Sequence, residues 1–356
     1  MTTAQIDTAK AQAFGGQMMA VLNNGMLALM TSVGHQTGLF DTMASLPPAT
    51  SQEIAKAAGL NERYVREWLG AMVTGAVVEY DAARHAYRLP PEHAASLTRA
   101  AGPGNLANMM QFIPLLGDVE TDLAACFRNG GGVPYARFPR FQRLMAEMSA
   151  ATYDATLVDV TLPLVPGLVA RLKEGIDVAD VGCGSGHAIN LMAKAFPKSR
   201  FTGIDFSEEG IAAGRAEAKA LGLANATFEL NDAATLSGPP RYDFITTFDS
   251  VHDQAHPDRM LEGIGAALRT GGAYLCVDVA ASSNLEQNLN HPLGPMMYAV
   301  STAHCMTVSL ALGGMGLGAM WGEQKAHEMI TAAGFKKIAT GHVEGDFFNN
   351  YYVATK

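Results

Sequence analysis

Positive charge is scarce in this sequence. Of its 356 residues, 25 are Lys or Arg against 34 Asp or Glu, a formal net charge of −9, and a surface of that sign argues against a phosphate backbone as main partner. Cysteine is scarcer still. Cys126, Cys183, Cys276 and Cys305 lie far apart with no C-x-x-C pair, so the spacing suggests neither a disulfide framework nor a zinc site, and no metal is expected. A clean apolar run of about 20 residues, the length a membrane-spanning helix needs, is also missing. Residues 11–40 and 287–322 carry no Asp, Glu, Lys or Arg, but Asn, Gln, Gly, His or Pro interrupts both. The opening residues, MTTAQIDTAKAQAF, do not set an apolar segment behind a basic one as a secretory signal does. The expectation is a soluble, cytoplasmic protein without a membrane span, long enough for two domains with cores of their own. Its uncharged stretches should be buried against another subunit, the other domain or a ligand.

The chain does have a glycine-rich turn. Residues 176–187, Ile-Asp-Val-Ala-Asp-Val-Gly-Cys-Gly-Ser-Gly-His, start as a short alternating apolar run and end in glycines at 182, 184 and 186, and residues 188–195 read as a helix. The pattern is strand, tight turn and helix start. Glycines let the backbone approach a ligand, and the free N–H groups of a helix N-terminus point at it. A dinucleotide fingerprint, G-x-G-x-x-G, would need glycine at 187, where His stands. Asp180 puts a carboxylate beside the turn, where a pyrophosphate is repelled and an ammonium group is held.

From residue 176 onward, strand and helix patterns alternate, which implies a parallel sheet with helices on both faces. Residues 200–204 form a second strand ending at Asp205, followed by Phe206 and the helix cap Ser207. An acid at this place, about 20 residues after the glycines, accepts hydrogen bonds from ribose hydroxyls. A third strand, 226–230, runs into Asn231, Asp232 and Ala233; a fourth, 242–248, ends at Phe248 and continues through Asp249 to His252, Asp253, Gln254 and His256. The fifth, 271–277, ends at Asp278. Loops at these strand ends face the ligand in a doubly wound sheet, and a histidine there titrates near neutrality and can take a proton.

The first hundred residues are different in kind. Residues 14–38 read as one or two helices with Met18, Met19, Val21, Leu22, Met26, Leu27, Leu29 and Met30 almost all round, which requires cover from a second subunit or from the domain's own core. Thr50 and Glu53 make a capping box and Gly59 stops that helix. Asn61 caps a second helix with Val65, Trp68, Leu69 and Met72 at helical spacing, and short strands over 77–80 and 85–89 follow. This is a helix-turn-helix with a wing. Its second helix sets Arg63 and Arg66 against Glu62 and Glu67, so it lacks the basic excess of a nucleic-acid reader. Between the two regions, Tyr135, Phe138, Phe141, Met145 and Met148 either line an apolar pocket or form plain core. The Met-rich, glycine-rich insertion 282–322 reads as a wall or lid, in which His291, Tyr298 and His304 either bind a substrate hydroxyl or pack.

The D-x-G-x-G-x-G spacing resembles the first motif of the class I S-adenosylmethionine-dependent methyltransferases. The N-terminal pattern resembles the winged-helix domain of small-molecule O-methyltransferases of the plant caffeate and bacterial hydroxyneurosporene type, and the arrangement as a whole resembles a group of mycobacterial-type methyltransferases. The resemblance implies an α/β, Rossmann-like methyltransferase domain over 173–356, with a mostly parallel sheet, a C-terminal antiparallel strand and the lid at 282–322. Ahead of it are implied a winged-helix dimerisation domain over 1–100 and linking helices over 101–172. It further implies S-adenosylmethionine as cofactor, held by Asp180, Gly182, Gly184, Gly186, Asp205, Phe206, Asp232, Ala233, Phe248 and Asp249, with Asp205 on the ribose and Asp232 on the adenine amino group. His252-Asp253 matches the His-Asp of the family's H-D-W segment, whose histidine is the general base; Gln254 replaces the tryptophan. Asp278 would orient His252, and a second orienting acid finds no match over 312–321. The implied protein is a homodimer that methylates a small, largely apolar acceptor at a hydroxyl oxygen. A cofactor-sensing transcriptional regulator, or methyl transfer to nitrogen or carbon, remains as an alternative.

Overall fold

In the computed structural model, which describes residues 6–356, the chain divides between Gly117 and Asp118 into two units. The first begins with α1 (Thr8–Gln36), whose N-cap Asp7 accepts from the amides of Ala9 and Lys10. Within the chain, Phe14, Met18, Met19, Val21, Leu22 and Met26 are exposed, and burial of this helix begins only at Ala28. The unit's own core therefore leaves Phe14 to Met26 uncovered, while Leu27 and Met30 pack against it. That core is made by the following helices, α2 (Leu39–Ala44), α3 (Ser51–Ala58) and α4 (Glu62–Thr74), around Phe40, Ile54, Trp68, Leu69 and Met72. The capping box forms as expected, Thr50 N donating to Glu53 Oε2 at 2.8 Å, and Trp68 Nε1 donates to Met30 O at 2.8 Å. On α4, Arg63 pairs with Glu67 and Arg66 with Glu62. Strands β1 (Glu79–Asp81) and β2 (Ala86–Arg88) make the antiparallel wing.

The division falls inside the 101–172 segment expected to link the domains. Residues 101–117, with Ala107 of the helix Leu106–Met109 buried in the first unit's core, belong to that unit, and 118–172 to the second. No single helix among the described residues is long and apolar enough to cross a membrane.

The second unit is a seven-stranded sheet with flanking helices. Its strands are β3 (Asp177–Val181), β4 (Arg200–Asp205), β5 (Ala226–Leu230), β6 (Tyr242–Phe248), β7 (Leu268–Val279), β8 (Lys337–Gly341) and β9 (Asn349–Thr355), in the order β5-β4-β3-β6-β7-β9-β8. The first five run parallel, and β9 lies antiparallel between β7 and β8. Val178, Ala179, Phe244 and Ile245 are fully buried, as strands covered on both faces require. One core packs α5 (His187–Ala195) with Val178, Phe201 and Phe244; the other packs α7 (Pro257–Ala267) and α8 (Gly322–Ala332) with Ala179, Ile204 and Ile245. Between β4 and β5 runs α6 (Glu208–Ala220). The order of strands reverses between β3 and β6, and a ligand crevice opens outside the carboxyl ends at such a switch point.

The 282–322 insertion is largely helical and partly buried. It holds the helix Gly294–Val300, a π-helical turn Ser301–Cys305 and the helix Met306–Ala311, with His304, Cys305, Thr307 and Ser309 buried. Hydroxyls anchor it: Thr307 Oγ1 accepts from Val133 N at 2.8 Å, and Ser309 Oγ donates to Gln254 O at 2.7 Å.

Candidate active site

The glycine turn sits at the carboxyl end of β3, beside the switch point. Gly182, Gly184 and Gly186 have φ of 75°, 53° and 73°, the left-handed region that a side chain makes costly. A Cβ on Gly182 would also stand 2.6 Å from Ser250 Cβ, and one on Gly186 would run into the Phe228 ring. On Gly184 it would meet nothing within 4 Å, so the turn is open to the crevice at its middle glycine. His187 starts α5 and is anchored by both ring nitrogens, to Glu217 Oε1 at 2.6 Å and Asp154 Oδ1 at 3.1 Å.

Carboxylates line the crevice. Asp205 is buried, Oδ2 accepting from Gly184 N and Oδ1 from Ser207 N, each at 2.8 Å; burial raises its pKa while the amides oppose the rise. Asp180 is buried and accepts from Thr246 Oγ1 at 2.9 Å. Burial pushes its pKa up to about 7 against that hydrogen bond, with the Asp205 charge adding to the rise. Asp249 follows β6 with φ of 50°, a strained conformation for a residue with a side chain. Its amide donates to Val277 O at 2.9 Å, and burial, then the Asp278 charge, raise its pKa to about 7. Asp232 caps the turn after β5 through Ala234 N at 2.9 Å, so its turn chemistry is realised. Ala233 is buried beside it. Phe248 packs its ring 5.1 Å from Tyr153. Phe206 and Leu230 end neighbouring strands with 57% and 51% of their surface exposed. Leu230, two residues before Asp232, reads in the sequence only as the last residue of a strand.

His252 and Asp278 come together as expected. His252 Nδ1 lies 2.6 Å from Asp278 Oδ1, with both residues buried. The same oxygen accepts from Val279 N at 2.8 Å and from Trp321 Nε1 at 3.1 Å, while Oδ2 has no partner among the described residues. A carboxylate on Nδ1 fixes the proton there and leaves Nε2 as the nitrogen that accepts. Burial disfavours the charged imidazole, but the Asp278 carboxylate, with a lesser contribution from Cys305, outweighs it and holds the His252 pKa well above the usual histidine range. Gln254, in the place of the motif's tryptophan, donates to Ser250 O at 2.9 Å. The indole reaches the pair from elsewhere: Trp321 closes the 312–321 segment in which no second acid could be matched. Its scarcity was the available signal, since Trp321 is one of two tryptophans in the chain.

Of the three rings in the insertion, two are used by the fold. His291 Nε2 lies 2.8 Å from Ala280 O, and Tyr298 accepts from Asn288 Nδ2 at 3.1 Å. His304 is buried, and neither ring nitrogen has a partner among the described residues.

Comparison with known proteins separates the same two regions. Residues 25–99 match the family model described as an Rv2258c-like winged HTH domain, and residues 172–334 match the model of a methyltransferase domain. The chain is 32% identical over 106 residues to a fatty-acid O-methyltransferase of Mycolicibacterium smegmatis, covering 30% of this chain and 38% of that protein. It is 30% identical over 137 residues to a trans-aconitate 2-methyltransferase of Variovorax paradoxus, covering 38% and 48%. The chain thus spans less than half the length of these curated relatives. Two solved structures share the fold over nearly the whole chain. The mitomycin 7-O-methyltransferase has a TM-score of 0.75 at 16% identity, over 98% of this chain and 100% of that one. Human N-acetylserotonin methyltransferase, in complex with S-adenosylmethionine, has a TM-score of 0.69 at 16% identity, over 100% and 99%.

Replacing Trp321 by Phe keeps an aromatic side chain, smaller than the indole, and removes the N–H donor from a buried carboxylate. Trp321→Phe is expected to lower stability by about 1–3 kcal/mol, read as a shift of the urea unfolding midpoint; an unchanged midpoint would show that the indole bond contributes nothing.

Proposed function

For a chain that joins an Rv2258c-like winged helix-turn-helix domain to a methyltransferase domain, we propose methyl transfer from S-adenosylmethionine to a hydroxyl oxygen of a small, largely apolar acceptor, with His252 as the general base. The observation that carries this reading is the buried His252–Asp278 pair at the ends of β6 and β7, in the crevice that also holds the glycine turn.

The residues present fit the cofactor. Its sulfonium supplies an electrophilic methyl group, and its charged ends are an ammonium and a carboxylate, with no phosphate. Asp180 offers a buried carboxylate for the ammonium, in keeping with a turn that opens at Gly184. Asp205 would accept from the ribose hydroxyls. Phe206 and Leu230, exposed at adjacent strand ends, would cover the faces of the adenine, with Asp232 and Ala233 at its edge and Phe248 and Asp249 closing the side toward β6. His252 draws the acceptor proton to Nε2, and Asp278 stabilises the imidazolium that results. The acceptor hydroxyl would approach Nε2, the ring nitrogen not held by Asp278.

The regulator alternative is weakened by the first unit, because both arginines of α4 are paired with glutamates of the same helix. Its exposed α1 supports a homodimer instead: Phe14, Met18, Met19, Val21, Leu22 and Met26 form an apolar surface of a kind that monomers rarely leave bare.

His252→Ala should leave binding of S-adenosylhomocysteine intact in calorimetry while turnover falls by roughly a hundredfold or more. In the parent protein, turnover should rise with pH, since a pair whose pKa lies above the usual histidine range must lose its proton before it can accept one; a falling profile would exclude His252 as base. Cofactor affinity reports on Asp180. Its carboxyl, at about 7 before binding, must ionise to hold an ammonium, so affinity should drop up to about tenfold per pH unit below 7, and Asp180→Asn should bind weakly and evenly from pH 5.5 to 8. An evenly tight parent protein would remove Asp180 from the cofactor site. Sedimentation should give twice the chain mass, and a concentration-independent monomer would refute the dimer.

A further inference from the structure

We propose that Asp253 is a specificity residue that receives a protonated amine, so that the acceptor carries an ammonium group besides the hydroxyl that is methylated. The inference rests on the methyltransferase reading, which it extends to a substrate class.

Asp253 follows the candidate base and has no part in the chemistry argued above. The backbone on both sides of it is tied down: His252 O accepts from Gly318 N at 3.1 Å, Gln254 O from Ser309 Oγ at 2.7 Å and Ala255 O from Met315 N at 3.0 Å. Its side chain is not. The one side chain that reaches its carboxyl among the described residues is Gln254, with Nε2 3.5 Å from Oδ1, and that amide already donates to Ser250 O at 2.9 Å. Burial pushes the Asp253 pKa up to about 6; the His252 charge opposes the rise, and Asp278 and Asp205 add to it. The carboxyl is therefore ionised just above neutrality, positioned by its backbone and poorly supplied with donors. Part of its surface stays exposed, so a small ligand reaches it from solvent without displacing a side chain.

The surroundings are short of positive charge. The leading charges that act on Asp253 are those of His252, Asp278 and Asp205, and the one cation among them, His252, is committed to Asp278 at 2.6 Å. Asp278 is itself fully buried, and its Oδ2 has no partner among the described residues. Residues 287–322 hold no Lys or Arg. Asp253 is also the leading charge on the Tyr135 phenol, yet the arginines near Tyr135 turn elsewhere: Arg137 pairs with Asp122, Arg140 with Asp118, and Arg143 is exposed. An ammonium brings three donors and one positive charge, and an aromatic ring such as that of Tyr135 attracts it. A carboxylate on the acceptor would be repelled, and a neutral group would leave the excess charge in place. Held as an ammonium, the nitrogen has no lone pair to take the methyl group. The hydroxyl stays the nucleophile: the methyl passes from the sulfonium sulfur to oxygen, and the hydroxyl proton goes to His252 Nε2.

The test uses the full chain saturated with S-adenosylhomocysteine at pH 7.5, titrated by calorimetry with probes that differ in charge at one end. Tyramine, 4-propylphenol and 3-(4-hydroxyphenyl)propionate form one series, and 8-aminooctan-1-ol with nonan-1-ol repeats the comparison on an open chain. Each amine should bind one to one and about tenfold more tightly than its neutral isostere, as a charge-assisted hydrogen bond allows, and the propionate should bind most weakly. Asp253→Asn keeps the shape of the side chain and removes its charge. It should still bind S-adenosylhomocysteine, lose the preference for amines, and unfold at the same temperature as the parent or higher, because one of several neighbouring carboxylates is neutralised. Equal affinity for amine and isostere, failure of both amines to bind, tighter binding of the propionate, a preference that survives in Asp253→Asn, or a clear fall in its thermal midpoint would overturn the proposal. No turnover is read, so a failure of His252 as base leaves the result standing. A protein that shows the amine preference without binding S-adenosylhomocysteine would retire the methyltransferase reading while keeping Asp253 as a ligand site.

Discussion

A carboxylate with no exposed surface is the constraint on which the second unit turns. Asp278 lies at the end of β7 inside the protein, and one of its oxygens is met by an imidazole, an indole and a backbone amide while the other has no partner among the described residues. Removing a single partner from a buried charge costs far more than the net worth of the contact. The loop after β6, the start of α8 and the β7 backbone are therefore held to one another through a single atom. Cys305, on the π-helical turn Ser301–Cys305, adds to the electrostatic influence on the same imidazole.

The rest of the crevice follows the same electrostatic logic at longer range. Asp180, Asp205, Asp249 and Asp253 are all driven toward the protonated form, first of all by burial, and neighbouring carboxylates contribute at Asp180, Asp249 and Asp253. A cluster of this kind rejects anions and gains when a cation enters, which agrees with the His at 187 in excluding a pyrophosphate. A ligand carrying positive charge relieves the cluster by allowing its carboxyls to ionise. The proposed cofactor and the local acid-base balance are thus two descriptions of one requirement.

How much of this was legible in the sequence depends on range. Local signals held: Thr50 and Glu53 form their capping box, Asn61 caps α4, the glycines at 182, 184 and 186 are left-handed, and the βα alternation from 176 gives the parallel sheet. The pairing of His252 with Asp278 was legible through resemblance, not spacing, because the two lie on different strand ends. Trp321 and His304 were not assigned their surroundings, since a lone ring in an uncharged run reads equally as core or as site until the chain is folded around it. The division at 117/118 was likewise hidden, because short helices follow one another on both sides of it and Ala107 joins the first core only once the chain is folded.

His187, where a dinucleotide fingerprint would need glycine, has a consequence of its own. Its two nitrogens clasp Glu217 on α6 and Asp154 near the end of the helix that Phe141 leads, so the first residue beyond the glycine turn is a mechanical fastener between the turn and that helix. The glycine turn is thus tied to two neighbouring helices through one imidazole that a third glycine would have removed.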